Sequence, residues 1–380
     1  MTFKFIHTAD WQIGAPFASF GADLAARLTD ARLGMISTIG SLASDNDVAN
    51  VFVAGDVWDS EQPSDKTVRQ PLDLMAGFGN VVWWLMPGNH DPYRHNMLWS
   101  RIAEREPKNV RLLLEPTPEE VAPTVWLLPA PWTSKSPGRD LTEWMDGAQL
   151  PEDAIKIGIG HGSIFDFSSS DGVGGDAGIN STIDPKRADL ARLDYLALGD
   201  WHGVLNITDR IWYSGTPETD RFRRNNPGHV LLVTVAKGVK PTVEQIKTST
   251  FDWELLDIAC LPDVGEFSDI DRLEDLGSLR NVLLQINFKG QLNQKNWLAV
   301  EARLRALRER AAFLDVRTDQ LTQLVFAEDL DELDHGGSVR MAAEHLLEIK
   351  ESARTPGDTK KVAADALRLL LSYAKEEAKA

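Results

Sequence analysis

The sequence predicts an α/β protein: a large layered domain, a smaller α/β unit after it, and a pair of C-terminal helices. Three observations carry this. Five short apolar runs recur in the first two thirds of the chain, each followed by a polar cluster of Asp, His, Asn and Gly. Stretches with helical spacing lie between the early runs, and the pattern changes character after about residue 257.

The first run is Phe3-Lys4-Phe5-Ile6. It is followed by Leu24, Leu28, Ala31, Met35, Ile39 and Leu42, whose spacings of three and four predict a helix. Val51-Phe52-Val53-Ala54 is the second run, and a second helix is predicted over 64–77 with Ser64 as its cap. The remaining runs are Val81 to Met86, Ile155 to Ile159 and Tyr195 to Leu198. Near-continuous apolarity marks strands covered on both faces. Further strands are expected at 110–114, 124–128, 211–214, 229–235 and 242–248, and the glycine-rich 171–178 reads as a loop. These elements place a large layered α/β domain at 1–257. A strand at 281–288, a helix carrying Trp297, Val300, Leu304 and Leu307, and a strand at 313–317 form a small α/β domain, 258–335. Two amphipathic helices, 338–353 and 359–378, are separated by Thr355-Pro356-Gly357-Asp358 and make up a C-terminal segment, 336–380. The stripe Val362, Ala366, Leu369, Tyr373 serves either for packing against its own domain or for docking on another protein.

Composition bounds the function. With 43% hydrophobic and 26% charged residues the chain is an ordinary globular one, and no apolar run approaches bilayer length. The N-terminus enters strand-like sequence directly, without a basic-then-apolar leader, and the single Cys260 excludes an internal disulfide; both predict a cytoplasmic protein. A net charge of −17 excludes a broadly basic nucleic-acid surface. Any polyanion contact must be local or supplied by a partner or bound cation.

The chemistry lies where the five runs end: Asp10-Trp11-Gln12, Gly55-Asp56-Val57-Trp58-Asp59, Gly88-Asn89-His90-Asp91, Gly160-His161-Gly162 and Gly199-Asp200-Trp201-His202. In an open α/β sheet ligands bind beyond the carboxyl ends of the strands, so the five clusters are expected to converge. Singly each is an ordinary turn. Together they offer carboxylates, imidazoles and an amide suited to hard or borderline divalent cations.

The series resembles that of the calcineurin-like metallophosphoesterases, whose usual pattern is Asp-x-His, Gly-Asp-x-x-Asp, Gly-Asn-His-Asp/Glu, a lone His, and Gly-His-x-His. His7-Thr8-Ala9-Asp10-Trp11 and Gly215-Thr216-Pro217-Glu218 resemble the SbcD/YhaO-like DNA repair exonuclease branch. The resemblance implies a layered β-sandwich flanked by helices, with a capping α/β domain. It implies that Asp56 bridges two divalent ions, one also held by Asp10, Gln12 and His202, the other by Asn89, His161 and Asp200. It further implies that His90 is the proton donor and that Asp91 orients it. Asp59 is read as structural. Gln12 and Asp200 stand where the pattern has histidine, which tilts the donor set towards oxygen and so towards Mn2+, with Mg2+ or Fe2+ as alternatives; a site that has lost metal is the competing reading.

Arg221, Arg223 and Arg224, with Arg210 and Lys186, form either a substrate-binding basic rim or a solvated loop. Trp11, Trp58 and Trp201 belong either to base-stacking platforms or to the core. The resemblance implies DNA as substrate, a coiled-coil ABC-type ATPase as partner, since no Walker-type loop occurs in the chain, and a homodimer as one arrangement. Three functions remain open: a DNA nuclease subunit, a phosphodiesterase or phosphatase on small esters, and a metal-poor scaffold.

Overall fold

Strands that are apolar on both faces need cover on both, and in the computed structural model they receive it. Residues 1–134, 137–164, 182–262, 264–324 and 337–377 are described; the glycine-rich 171–178 lies outside them. The chain divides into two units, Met1–Asp252 and Trp253–Ala380.

The first unit is mixed α/β with two six-stranded sheets. One runs, in spatial order, Val239–Lys247, His229–Ala236, Thr2–Thr8, Asn50–Val53, Val82–Leu85 and Val110–Leu112. Its last four strands are parallel and the first two join antiparallel. The other runs Leu205–Thr208, Ile211–Tyr213, Tyr195–Gly199, Ile155–His161, Val125–Ala130 and Glu119–Ala122, with a parallel centre and antiparallel edges.

Side-chain alternation sorts the layers. Phe3, Phe5, Phe52 and Trp84 of the first sheet share one core with Leu127, Ile157, Ile159 and Tyr195 of the second. The opposite face of the first sheet, through Ile6, Val51, Val53, Trp83 and Leu85, packs on the helices Ala22–Asp45 and Asp65–Ala76. Met35, Ile36 and Ile39 of the earlier helix lie in that layer, as the spacing predicts, and Arg32 is buried on the same helix. The Ser64 hydroxyl accepts from the Thr67 amide, the expected cap. Parallel pairing then aligns the carboxyl ends of the strands that carry the motifs.

The second unit holds a three-stranded sheet ordered Asp252–Cys260, Val282–Asn293, Phe313–Leu324. Ile286 and Leu284 pack with Val300, Leu304 and Leu307 of the helix Gln294–Arg310. Cys260 is a buried free thiol. The helices Ser338–Glu351 and Gly357–Glu377 pack through Ala343, Leu347, Leu367 and Leu371. This corrects the packing reading of the last stripe: Val362, Leu369 and Tyr373 are exposed, because the helix carries two adjacent apolar rows and the pair uses the other one. No helix among the described residues is long and apolar enough to cross a membrane.

Glu218 of the Gly-Thr-Pro-Glu motif has a structural task. Its buried carboxylate accepts from the Thr250 amide at 2.7 Å and the Phe251 amide at 2.9 Å, tying the end of the first unit to the loop after Tyr213. Glu218→Ala would orphan both donors and is expected to destabilise the first unit by roughly 2–4 kcal/mol in chemical denaturation of the full chain, with Glu218→Gln costing less.

Candidate metal centre

Beyond the strand ends, backbone pairing continues. The Asp10 amide donates to the Gly55 carbonyl (3.1 Å), Gln12 to Asp56 (2.9 Å) and Ile13 to Val57 (3.0 Å), so the first two motif loops are zipped together. Asp10, Gln12, Asp56 and Asp200 all hold positive φ, at 53°, 42°, 53° and 99°. Such conformations cost about 1–3 kcal/mol each outside glycine, persist only where surroundings impose them, and cluster at functional sites. Two glycines set the approach distances. A Cβ at Gly55, itself at φ +90°, would lie 2.2 Å from His161 Nδ1, and one at Gly88 would lie 2.2 Å from Asp56 Oδ1.

These constraints gather the predicted ligands. One donor atom each from Asp10, Asp56 and His161 lies within 4.8 Å of the others, and all three residues are buried. His161 Nδ1 donates to the Ala54 carbonyl at 2.8 Å, which turns Nε2 towards Asn89 Oδ1 (2.7 Å) and Asp56 Oδ2 (3.5 Å). Asp56 Oδ1 accepts from the His90 amide at 2.9 Å. The Asp200 amide donates to both Asp10 oxygens, at 3.0 and 3.2 Å, and the Ser163 hydroxyl donates to Asp200 Oδ2 at 2.7 Å. Gln12 Nε2 lies 3.3 Å from His202 Nε2, whose ring presents Nδ1 to Asp220 Oδ2 at 2.7 Å. A half-turn of the Gln12 amide would offer its oxygen in the same place.

Electrostatics in the cluster are dominated by its buried carboxylates. Burial raises the Asp10 carboxyl to about 6, opposed by His202 and His161 and reinforced by Asp56 and Asp200. Burial would lower the His161 imidazole, but Asp56, with Asp10 and Asp200, outweighs it and lifts the ring to about 10. Three buried carboxylates thus draw a proton onto Nε2, between Asn89 and Asp56, where two acceptors face it. Asp10, Asp56 and His161 are a group that could hold a metal ion, with oxygen donors beside an imidazole nitrogen. These three form the compact centre, Asn89 bonds to His161, the Asp200 amide bonds to Asp10, and Gln12 and His202 make a pair of their own.

His90 stands at its rim with 29% of its side chain exposed. Its Nδ1 donates to the Asp59 carbonyl at 3.2 Å and lies 3.8 Å from the Asp59 carboxylate, while Nε2 is 4.0 Å from Asp56 Oδ2. The expected role of Asp91 is corrected: its oxygens accept from the Gly88 and Trp58 amides at 2.7 and 3.0 Å, so it clasps two motif loops, and Asp59 is the residue at the imidazole. Sequence order misleads because Asp91 turns inward beneath the loop. Trp11 and Trp58 are fully buried in the helix-side core, which removes them as stacking platforms, and Trp201 packs against the outer layer of the second sheet. In the basic rim, Arg221 lies on Asp220 Oδ2 at 3.1 Å and Arg210 pairs with Asp189; Arg223 is half-buried, and Arg224 and Lys186 are exposed. Sequence reasoning missed Asp220, Ser163 and Arg32. Asp220 stands two positions past Glu218 and far from any strand end, and only the buried charge on a helical face at Arg32 gave a signal.

No family model matches this chain, and no curated protein matches it. A solved structure described as GAP50, the anchor in the inner membrane complex of Plasmodium, is similar at 12% identity and a TM-score of 0.38, covering 65% of this chain and 89% of that one. A likeness of that size carries no argument for fold or function.

An imidazole near 10 in the fold and 6.5 in the unfolded chain contributes stability that is complete below pH 6.5 and lost as pH rises through 10. Asp10 adds nothing to that window, being ionised in both states above about 6. Chelator-treated protein is therefore expected to lose unfolding free energy between pH 6.5 and 10, with His202, also raised by Asp220, contributing in the same direction, and His161→Gln to reduce the loss. A flat wild-type profile would show that the carboxylates do not hold the ring charged.

Proposed function

We propose that this chain is a metal-dependent phosphodiesterase of the calcineurin-like metallophosphoesterase type, acting as the nuclease subunit of a DNA-processing complex. The observation that carries the reading is the meeting of Asp10, Asp56 and His161, from three distant strand ends, with Asn89 bonded to His161 and the Asp200 amide to Asp10. The two sheets sharing one core, with helices outside, support the layered sandwich that this reading requires.

Two divalent cations, when bound, would neutralise charge on the phosphodiester and activate the attacking water. Asp56 would serve both, its Oδ1 already steadied by the His90 amide. Asp10, Gln12 and His202 would hold one cation, and Asn89, His161 and Asp200 the other. His90, fixed through Nδ1 by the Asp59 carbonyl, keeps Nε2 at the partly open rim, the place for a group that protonates a leaving oxygen. The same reading assigns the ATP-driven step to a separate coiled-coil ABC-type ATPase, with exposed Val362, Leu369 and Tyr373 as support for a docking role of the helical pair. A second reading, hydrolysis of small phosphoesters, is favoured by the net charge of −17 and by the pairing of Arg210 and Arg221 with internal carboxylates.

Mn2+-dependent release of nucleotides from linear DNA is the expected activity; hydrolysis of an aryl phosphodiester with intact DNA would favour the second reading. His90→Ala is expected to keep both cations and lose roughly 10²-fold or more in kcat, while Asp56→Ala loses cations and hydrolysis together. Equal cation loss in the two variants would refute the division of roles, and a wild-type protein that takes up no Mn2+ would refute the reading itself.

A further inference from the structure

The two imidazoles of the centre are backed differently. His161 gives its Nδ1 hydrogen to a neutral acceptor, the Ala54 carbonyl, whereas His202 presents Nδ1 to the carboxylate of Asp220 at 2.7 Å. Their companions differ in the opposite sense. Beside Asn89 and His161 the sequence supplies an anionic ligand, Asp200; beside Asp10 and His202 it supplies a neutral amide, Gln12. Each half thus has one strengthened partner.

Resting on the two-cation reading above, we propose that Asp220 is a positioning residue that makes His202 the dominant nitrogen donor of its half and so offsets the weak ligand Gln12. A carboxylate on Nδ1–H fixes the tautomer, aims Nε2 at the cation and raises its basicity. Asp220 is built for the task. Oδ2 takes both His202 and the Arg221 guanidinium, whose Nε and Nη2 lie at 3.2 and 3.1 Å. From the first helix Arg32 donates to the Trp11 carbonyl at 3.1 Å and lies over the Phe17 ring. The Trp11 carbonyl that anchors Arg32 adjoins Gln12, so the helix is tied to the first motif beside that ligand.

Calorimetric titration of the metal-free full chain with Mn2+ tests this without reference to activity. Wild type is expected to take two ions. Asp220→Asn should weaken one of them roughly 10–100-fold and leave the other within about twofold, the retained ion also reporting an intact fold. Adding Gln12→His to Asp220→Asn should restore most of the lost affinity, which a merely structural role for Asp220 would not allow. Should Asp220→Asn fail to fold, Asp220→Glu carries the same comparison, with a smaller loss again rescued by Gln12→His. Two ions bound unchanged in Asp220→Asn would overturn this inference alone, as would loss of both without rescue. Fewer than two in wild type would overturn the two-cation reading and this inference with it.

Discussion

Placing Asp10, Asp56 and Asp200 side by side in the interior is the constraint around which the first unit is arranged. Like charges out of water repel and are poorly solvated, so the fold must hold them by force and supply compensating dipoles and cations. It does so with backbone. The amides of Asp200 and His90 point at Asp10 and Asp56, Ser163 adds a hydroxyl to Asp200, and the ladder between the first two motif loops prevents retreat. Four residues at positive φ are the local cost of that arrangement. Its stability must come from elsewhere, and the double layer of apolar strands beneath is the source.

The sheets explain how so much strain is tolerated. Because strands alternate their side chains, Phe5 and Phe52 seal the inter-sheet core while Ile6 and Val51 seal the helix side, and each motif loop emerges from a strand locked on both faces. A loop rooted in that way loses little further entropy when its donors are fixed. Asp91 completes the anchorage from beneath, bonding the Gly88 and Trp58 amides, so that the second and third loops move as one.

What was legible in the sequence followed from periodicity and from strand ends. The run of Met35 and Ile39 at helical spacing, the Ser64 cap and the five apolar strands are local signals, and local signals survive folding. Asp10, Asp56, Asn89, His161, Asp200 and His202 were legible because parallel pairing turns position after a strand into position in space. Asp91 was misassigned because adjacency to His90 in the chain says nothing about which side of a loop a carboxylate faces. Whether the row at Val362, Leu369 and Tyr373 packs or docks is not legible, because two apolar stripes at the same period are indistinguishable without the partner helix. Asp220 escaped notice for the converse reason: its meaning comes wholly from His202, Arg221 and Arg32, none of which shares a motif with it.

The distribution of arginines bears on how a polyanion would meet such a centre. Arg221 and Arg210 sit where a basic rim was expected, yet each is turned onto a carboxylate of the protein, and Arg32 is sunk beneath the surface among Asp220, Glu218 and Asp59. A guanidinium already engaged with a carboxylate neutralises little of an incoming phosphate, so on the proposed function the attraction for substrate falls mainly to the bound cations at short range. Over longer distances a chain of net charge −17 repels nucleic acid, and screening at physiological salt limits that repulsion to about 8 Å. On the proposed nuclease reading, strands would reach the cations only where another surface delivers them, and catalysis and substrate capture would lie on different polypeptides; on the small-ester reading no such delivery is needed.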